Sequence, residues 1–243
     1  MNNASTIQQM RSLKLKGMAD CFEAIQELPV HQRPTTDVAI AQIIDAESLF
    51  RQHRKTHNAI YHAKFRYQAS MSDLLCNEAR NLNKEMIAQL SDCAFIDRGE
   101  NIIITGATGC GKSFLASAIG HQACTKGKKV AYYSLPKLFS KIKNDILEGS
   151  SFTKEIDRLE HKNLIILDDW GLTPLDSQSR LALLQIIEDR HQKYSTIITS
   201  QLPVNAWHQY INDNTIADAI LDRIIHQAIR IDLKGDSLRK IKK

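Results

Sequence analysis

The chain has 243 residues, 43% of them hydrophobic and 24% charged, with a formal net charge of +5. These values suit a globular protein of one or two domains with a real core. No apolar run approaches the roughly 20 residues of a membrane span, and Met1 to Ser12 lacks the apolar centre of a secretory signal. The five cysteines (Cys21, Cys76, Cys93, Cys110, Cys124) are scattered and form no Cys-x-x-Cys pair, which fits a reduced cytoplasmic interior rather than disulfides or structural zinc.

From Ile7 to Leu28, apolar residues recur at helical spacing, with Gly17 interrupting them. This predicts one kinked helix or two short ones. Pro29 to Thr36 reads as a loop, and a second helix starts at Thr36–Asp37 and runs towards Tyr61. No acidic residue lies between Glu47 and Asp73, whereas Arg51, Arg54, Lys55, Lys64 and Arg66 do, interleaved with Tyr61, Phe65 and Tyr67. Arg51, Arg54 and Lys55 share a helical face. Such a face attracts a nucleic-acid backbone of any sequence, and the aromatics could stack on bases or pack on the core. A merely solvated basic face remains open. His53 and His57 stand four apart, but no third ligand of fixed spacing accompanies them, so no metal clamp is expected.

Gln68 to Asp73 reads as a joint, placing a boundary near Ser70 between a helical domain (1–69) and a second domain (70–243). A short helix is expected over Cys76 to Cys93. Asn101 to Thr105 is then a run of β-formers. It leads into Gly106-Ala107-Thr108-Gly109-Cys110-Gly111-Lys112-Ser113, and Phe114 to Ala123 has helical spacing. Strand, Gly-x4-Gly-Lys-Ser and helix in that order read as a phosphate-binding loop. Glycines let the backbone curl its N–H groups around anionic oxygens, and the helix adds the positive end of its dipole. Lys112 would reach the β- and γ-phosphates of a nucleoside triphosphate, and the Ser113 hydroxyl would hold Mg2+. Cys110 inside the loop is read as a small filler.

Val130 to Ser134 is a second strand. The helix that Pro136 opens has Leu138, Phe139, Ile142, Ile146 and Leu147 on its apolar face, and Lys137, Lys141 and Lys143 on the other. Those lysines could face DNA, but solvation is the simpler reading. Asn163 to Asp169 is a buried parallel strand ending in two acids. Ligands bind at the carboxyl ends of such strands. Asp168 would help to hold Mg2+, and Asp169 would orient or deprotonate an attacking water. A helix over Ser177 to Lys193 precedes a strand over Ser195 to Thr199, and Gln201 beyond it could touch the γ-phosphate or the water. Ile216 to His226 is a helix carrying Arg223, and Ile229 to Leu233 is the last strand, before a basic tail. Five strands alternating with helices predict an α/β parallel sheet covered on both faces, preceded by a small all-α domain.

The segments LKGMADCFEA, FIDRGENIIITGATGCGKS, LIILDDWGLTPLD, IITSQLPVNAWH and ADAILDRIIHQAIRIDLKGDSLRK together resemble the IstB-like ATPases, helper proteins of insertion-sequence transposition. These are relatives of the DnaC-type helicase loaders within the P-loop AAA+ group. The resemblance covers essentially the whole chain. It implies Lys112 and Ser113 as the Walker A pair and Asp168 and Asp169 as the Walker B pair. It puts Gln201 at sensor 1, Arg223 as an arginine finger completing a neighbour's site, and Arg239 at sensor 2. Two positions depart from the pattern: Asp169 stands where the group usually has Glu, and Gln201 where it usually has Asn. The resemblance also implies a reduced helical lid and ATP with Mg2+ as cofactors. Its function would be a DNA-stimulated ATPase that assembles as a homo-oligomer on double-stranded DNA and recruits a cognate transposase. A DnaC-like replicative helicase loader is the alternative. A small-molecule kinase would need a substrate lid and acceptor groups that are not visible.

Overall fold

A computed structural model describes residues 2–147 and 153–238. They divide into two compact units, residues 1–58 and 59–243.

The first unit is helical. Helix α1 (Asn3–Ser12) and α2 (Lys16–Glu27) are separate, and α3 (Thr36–Ala63) starts here. The chain breaks not at Gly17 but before it, where Lys14 takes a left-handed φ of 62°. Gly17 lies inside α2 because a Cβ there would come within 2.6 Å of the Ala46 carbonyl oxygen. The glycine permits close helix packing instead of ending a helix. The buried carboxylate of Glu47 accepts from the Met18 backbone N–H at 3.1 Å and from Arg51 Nε at 2.7 Å. The Arg51 hydrogen bond is the first cause that holds the Glu47 carboxyl below its usual pKa.

The second unit is built on a five-stranded, all-parallel sheet ordered β2-β3-β4-β1-β5. Its strands are β1 (Asn101–Gly106), β2 (Val130–Ser134), β3 (Leu164–Trp170), β4 (Ser195–Ser200) and β5 (Ala228–Leu233). Side chains alternate along each strand. Ile102, Ile104, Leu164, Ile166 and Ile197 therefore feed one core with α4 (Lys84–Asp92) and α6 (Lys112–Thr125). Ile103, Ile165, Leu167 and Ile198 feed the opposite core with α7 (Leu135–Leu147), α8 (Thr153–Glu160), α9 (Ser177–Arg190), α10 (Trp207–Ile211) and α11 (Asn214–Ile225). Helices on both faces give β1, β3 and β4 buried apolar centres, which made them legible, whereas the edge strand β5 keeps Arg230 and Asp232 exposed.

Some expected boundaries move. The span Cys76 to Cys93 is not one helix: a tight turn at Glu78–Arg80 and an Asn77–Leu82 bridge precede α4, and Ala94–Asp97 forms a short α5. Leu147 is exposed, off the apolar face assigned to it. The helix after Ser177 stops at Arg190, whose side chain turns into the protein. Its Nη1 donates to the Leu159 and Lys162 carbonyls at 2.7 and 2.9 Å, and its Nη2 to the Ser195 carbonyl at 2.7 Å. Burial pulls this guanidinium down to a pKa of about 9.

Candidate nucleotide-binding site

The strand order creates the site. β1 lies between β4 and β5, so the chain leaving β1 must cross over to β2 at the far edge. Such a reversal opens a crevice at the carboxyl ends of the strands. Four segments meet there: the loop after β1, the end of β3, the end of β4 and the stretch following α3. They line a cleft of about 720 Å³.

The loop is shaped by glycine. Gly106, Gly109 and Gly111 have φ of 144°, 86° and 96°, a region that L side chains rarely occupy. A Cβ at Gly106 would run into the Leu233 carbonyl oxygen, and one at Gly109 into Ser237. The backbone therefore curls tightly enough to act as an amide cradle. Lys112, the first residue of α6, crosses the loop and donates from Nζ to the Gly106 and Ala107 carbonyls, both at 2.8 Å. From outside, Arg80 Nη2 donates to the Cys110 carbonyl at 2.6 Å, and the Leu238 N–H to the Gly109 carbonyl at 3.0 Å. Cys110 is buried, as a filler should be.

Facing the loop, β3 presents two acids on one side. Successive strand residues ordinarily point to opposite faces. Here the register with β4 slips between Leu167 and Trp170, and Asp169 adopts a left-handed φ of 64°. A bulge of this kind re-aims a side chain. Asp168 is buried, and its Oδ1 accepts from Ser113 Oγ at 2.9 Å and from Thr199 Oγ1. Its Oδ2 accepts from Tyr132 Oη and from Arg66 Nη1, the latter at 3.1 Å. The same Nη1 reaches Asp169 Oδ2 at 3.2 Å, and Ser134 Oγ donates to that oxygen at 3.2 Å. Burial, then the Asp168 charge, pushes the Tyr132 phenol pKa upward, so it stays a donor. Burial lowers the Arg66 pKa, but the Asp168 hydrogen bond and the Asp169 charge more than reverse this and leave it raised.

The donor set fits a nucleoside triphosphate with a divalent cation. The positive φ of the three loop glycines is the backbone conformation with which such loops turn amides to phosphate oxygens. The Ser113 hydroxyl and the Asp168 carboxylate, 2.9 Å apart, are the hard oxygen pair that Mg2+ takes beside substrate phosphates. Gln201 Oε1 accepts from Thr108 Oγ1 at 2.7 Å, which ties the end of β4 to the loop.

The expected residues therefore fall into three groups. Gly106 through Ser113, Asp168, Asp169 and Gln201 converge at the crevice, and Arg66, expected on the basic face, converges with them. Arg223 does not: the Asn101 side chain at the start of β1 donates to its carbonyl at 3.3 Å, and its guanidinium holds Glu188 at 2.9 Å. That is the other end of the sheet, one six-residue strand or roughly 17–20 Å from the loop. Arg54, Lys55 and Lys64 are exposed, and Arg51 pairs with Glu47. Arg239 lies outside the described residues. The sequence reading missed Arg80, Tyr132, Ser134 and Thr199. Ser134 and Thr199, hydroxyls at the ends of β2 and β4, carried a readable signal, whereas Arg80 and Tyr132 are brought in by tertiary folding.

Comparisons with known proteins agree with this fold. Solved structures with the same fold include the DnaC helicase loader (TM-score 0.57, 20% identity, 71% of this chain and 100% of that one). Another is AMPPCP-bound DnaA from Aquifex aeolicus (TM-score 0.57, 17% identity, 73% of this chain and 54% of that one). The fold is thus the P-loop AAA+ fold. Among sequence relatives, y4pL of Sinorhizobium fredii (strain NBRC 101917 / NGR234), named for an insertion sequence and for ATP binding, is 40% identical over 236 residues, 97% of this chain and 96% of that one. A protein of Pseudomonas fluorescens named for the insertion sequence IS1162 and for ATP binding is 35% identical over 204 residues, 84% of this chain and 88% of that one. The family described as IstB-like ATP binding protein matches residues 8–243, and the chain belongs to that family.

Proposed function

We propose that this protein is an ATP-hydrolysing helper of DNA transposition, which assembles as a homo-oligomer on double-stranded DNA and delivers or stimulates a cognate transposase. The observation that carries the nucleotide half is the Ser113–Asp168 pair at 2.9 Å beside a glycine loop spanned by Lys112. In this reading the loop amides and Lys112 grip the phosphates, and Ser113 and Asp168 hold Mg2+. Held there, a divalent cation would supply positive charge beside the phosphates, where negative charge builds during phosphoryl transfer. Asp169, aimed into the cleft by its bulge, orients the attacking water. Gln201 senses the phosphate end through its bond to Thr108.

The relatives' names support the transposition half, because they tie similar chains to insertion sequences. The helicase-loader reading shares the fold but lacks that support. Exposed Arg54, Lys55 and Lys64 supply sequence-independent attraction to a phosphodiester backbone.

The test is equilibrium binding of labelled ATP with Mg2+, followed by phosphate release with and without duplex DNA. Wild type should bind, and its turnover should rise on adding DNA. Lys112→Ala should lose binding by about 100-fold or more, the scale of two or more charge-assisted phosphate contacts. Equal retention of ATP by that variant would remove the nucleotide reading. Turnover indifferent to DNA would remove the DNA reading.

A further inference from the structure

Arg66 stands apart from the other cations of its run. It lies in a strap, residues 64–69, that follows α3 and is pinned on either side of it. Lys64 turns the chain with a φ of 57°. The Phe65 ring sits in the notch left by Gly120, where a Cβ would collide with it, 4.5 Å from the His121 ring. Tyr67 lies 6.0 Å from Phe114, and Ala69 is buried. Held between these anchors, Arg66 forks one nitrogen onto both acids.

An ionised carboxylate offers about four acceptor positions. Asp168 has four donors on them: three neutral hydroxyls from Ser113, Thr199 and Tyr132, and the Arg66 guanidinium. Hydroxyls can rotate and turn a lone pair towards a metal. A guanidinium has no acceptor, cannot deprotonate in this range, and repels a second cation on the same oxygens. We propose that Arg66 is a built-in competitor for the divalent cation of the nucleotide site, so that guanidinium and metal hold the Asp168–Asp169 pair alternately. Loading with metal–nucleotide then expels Arg66 and loosens the strap between its Phe65 and Tyr67 anchors. This rests on reading Lys112, Ser113 and Asp168 as the nucleotide–metal site.

The test uses the full chain, Arg66→Gln and Arg66→Lys, a fluorescent ATP analogue and manganese as the probe metal. Binding is followed in EDTA and then across a manganese titration. Arg66→Gln should reach half-saturation at about tenfold less manganese, with Arg66→Lys between it and wild type, because a hydrogen-bonded charge is removed from one contested carboxylate. In wild type, tryptic cleavage after Lys64 and Arg66 should be slow in EDTA and fast with manganese and ATP. An Arg66→Gln protein needing as much manganese as wild type, or more, overturns the proposal. So does a strap cut equally under both conditions, a readout that stands even if Arg66→Gln fails to fold. No nucleotide binding by any of the proteins would sink the nucleotide reading itself. Nucleotide binding with identical manganese dependence sinks the competitor alone.

Discussion

At Asp169 the polypeptide departs from the alternation that governs the rest of its strand. A left-handed φ on a non-glycine residue costs about 1–3 kcal/mol and persists where the surroundings over-determine it. What the strain achieves is visible: two neighbouring carboxylates share one guanidinium. The phosphate loop has the same logic in glycine form. Gly106→Ala should lower stability by about 1–3 kcal/mol through its φ of 144° and its collision with the Leu233 carbonyl. It should also abolish ATP retention, measured by urea unfolding and by filter binding; an unaltered midpoint would show that the loop relaxes freely. This half of the site was legible in the sequence because its spacing is local. Arg66 and Arg80 were not, since each acts on residues 30 to 103 positions away. Nothing in a basic run says which cation will fold back onto an acid.

Helices and strands were legible to different degrees, for a physical reason. A parallel strand covered on both faces has an apolar centre, as Ile102–Ile104 and Leu164–Leu167 show, and the edge strand β5 was read from its alternating Ile229, Ile231 and Leu233. Short helices such as α8 and α10 have too few turns for a period to emerge, and they went unread. Some helix starts rest on one side chain, and α9 shows how much. Its cap, Asp176, accepts from the Ser179 N–H at 2.9 Å and holds Lys143 at 2.6 Å. Asp176→Ala should cost about 1 kcal/mol, as loss of an N-cap does. The Lys143 hydrogen bond, then those of Ser179, keep this carboxyl well below its ordinary pKa in the folded chain. A depressed folded value stabilises above the unfolded pKa of about 3.9 and loses that contribution as pH falls through it. The gap in unfolding free energy between wild type and Asp176→Ala should therefore be full at pH 7 and shrink below about pH 4. A gap constant with pH would mean that the carboxylate's charge is irrelevant to the cap.

The sheet as a whole separates the residues expected to cooperate. The glycine loop, the Asp168–Asp169 pair and the end of β4 share its carboxyl edge, while Arg223 sits by the opposite edge on Glu188. No rotamer of Arg223 spans that distance within one chain. Its expected role as a finger therefore requires a second copy, and the expectation becomes testable by mixing. Arg223→Ala should bind ATP as wild type does but turn over about 1,000-fold more slowly, the lower end of what such an arginine contributes. Lys112→Ala supplies an intact Arg223 on a dead site. Mixed with Arg223→Ala, it should restore part of the phosphate release. If the mixture stays silent while each protein still assembles, Arg223 is no finger.

The chain has two tryptophans, and both are buried side by side. Trp170 follows Asp169 directly and lies 4.7 Å from Trp207 between ring centres. Among the described residues its Nε1 is a buried polar atom without a hydrogen-bond partner. An indole in that position is an internal lamp, since its emission colour follows the polarity and charge around it. Any rearrangement of the neighbouring acids should tint that glow. Binding events at the crevice can thus be watched by ultraviolet excitation alone, with no dye attached.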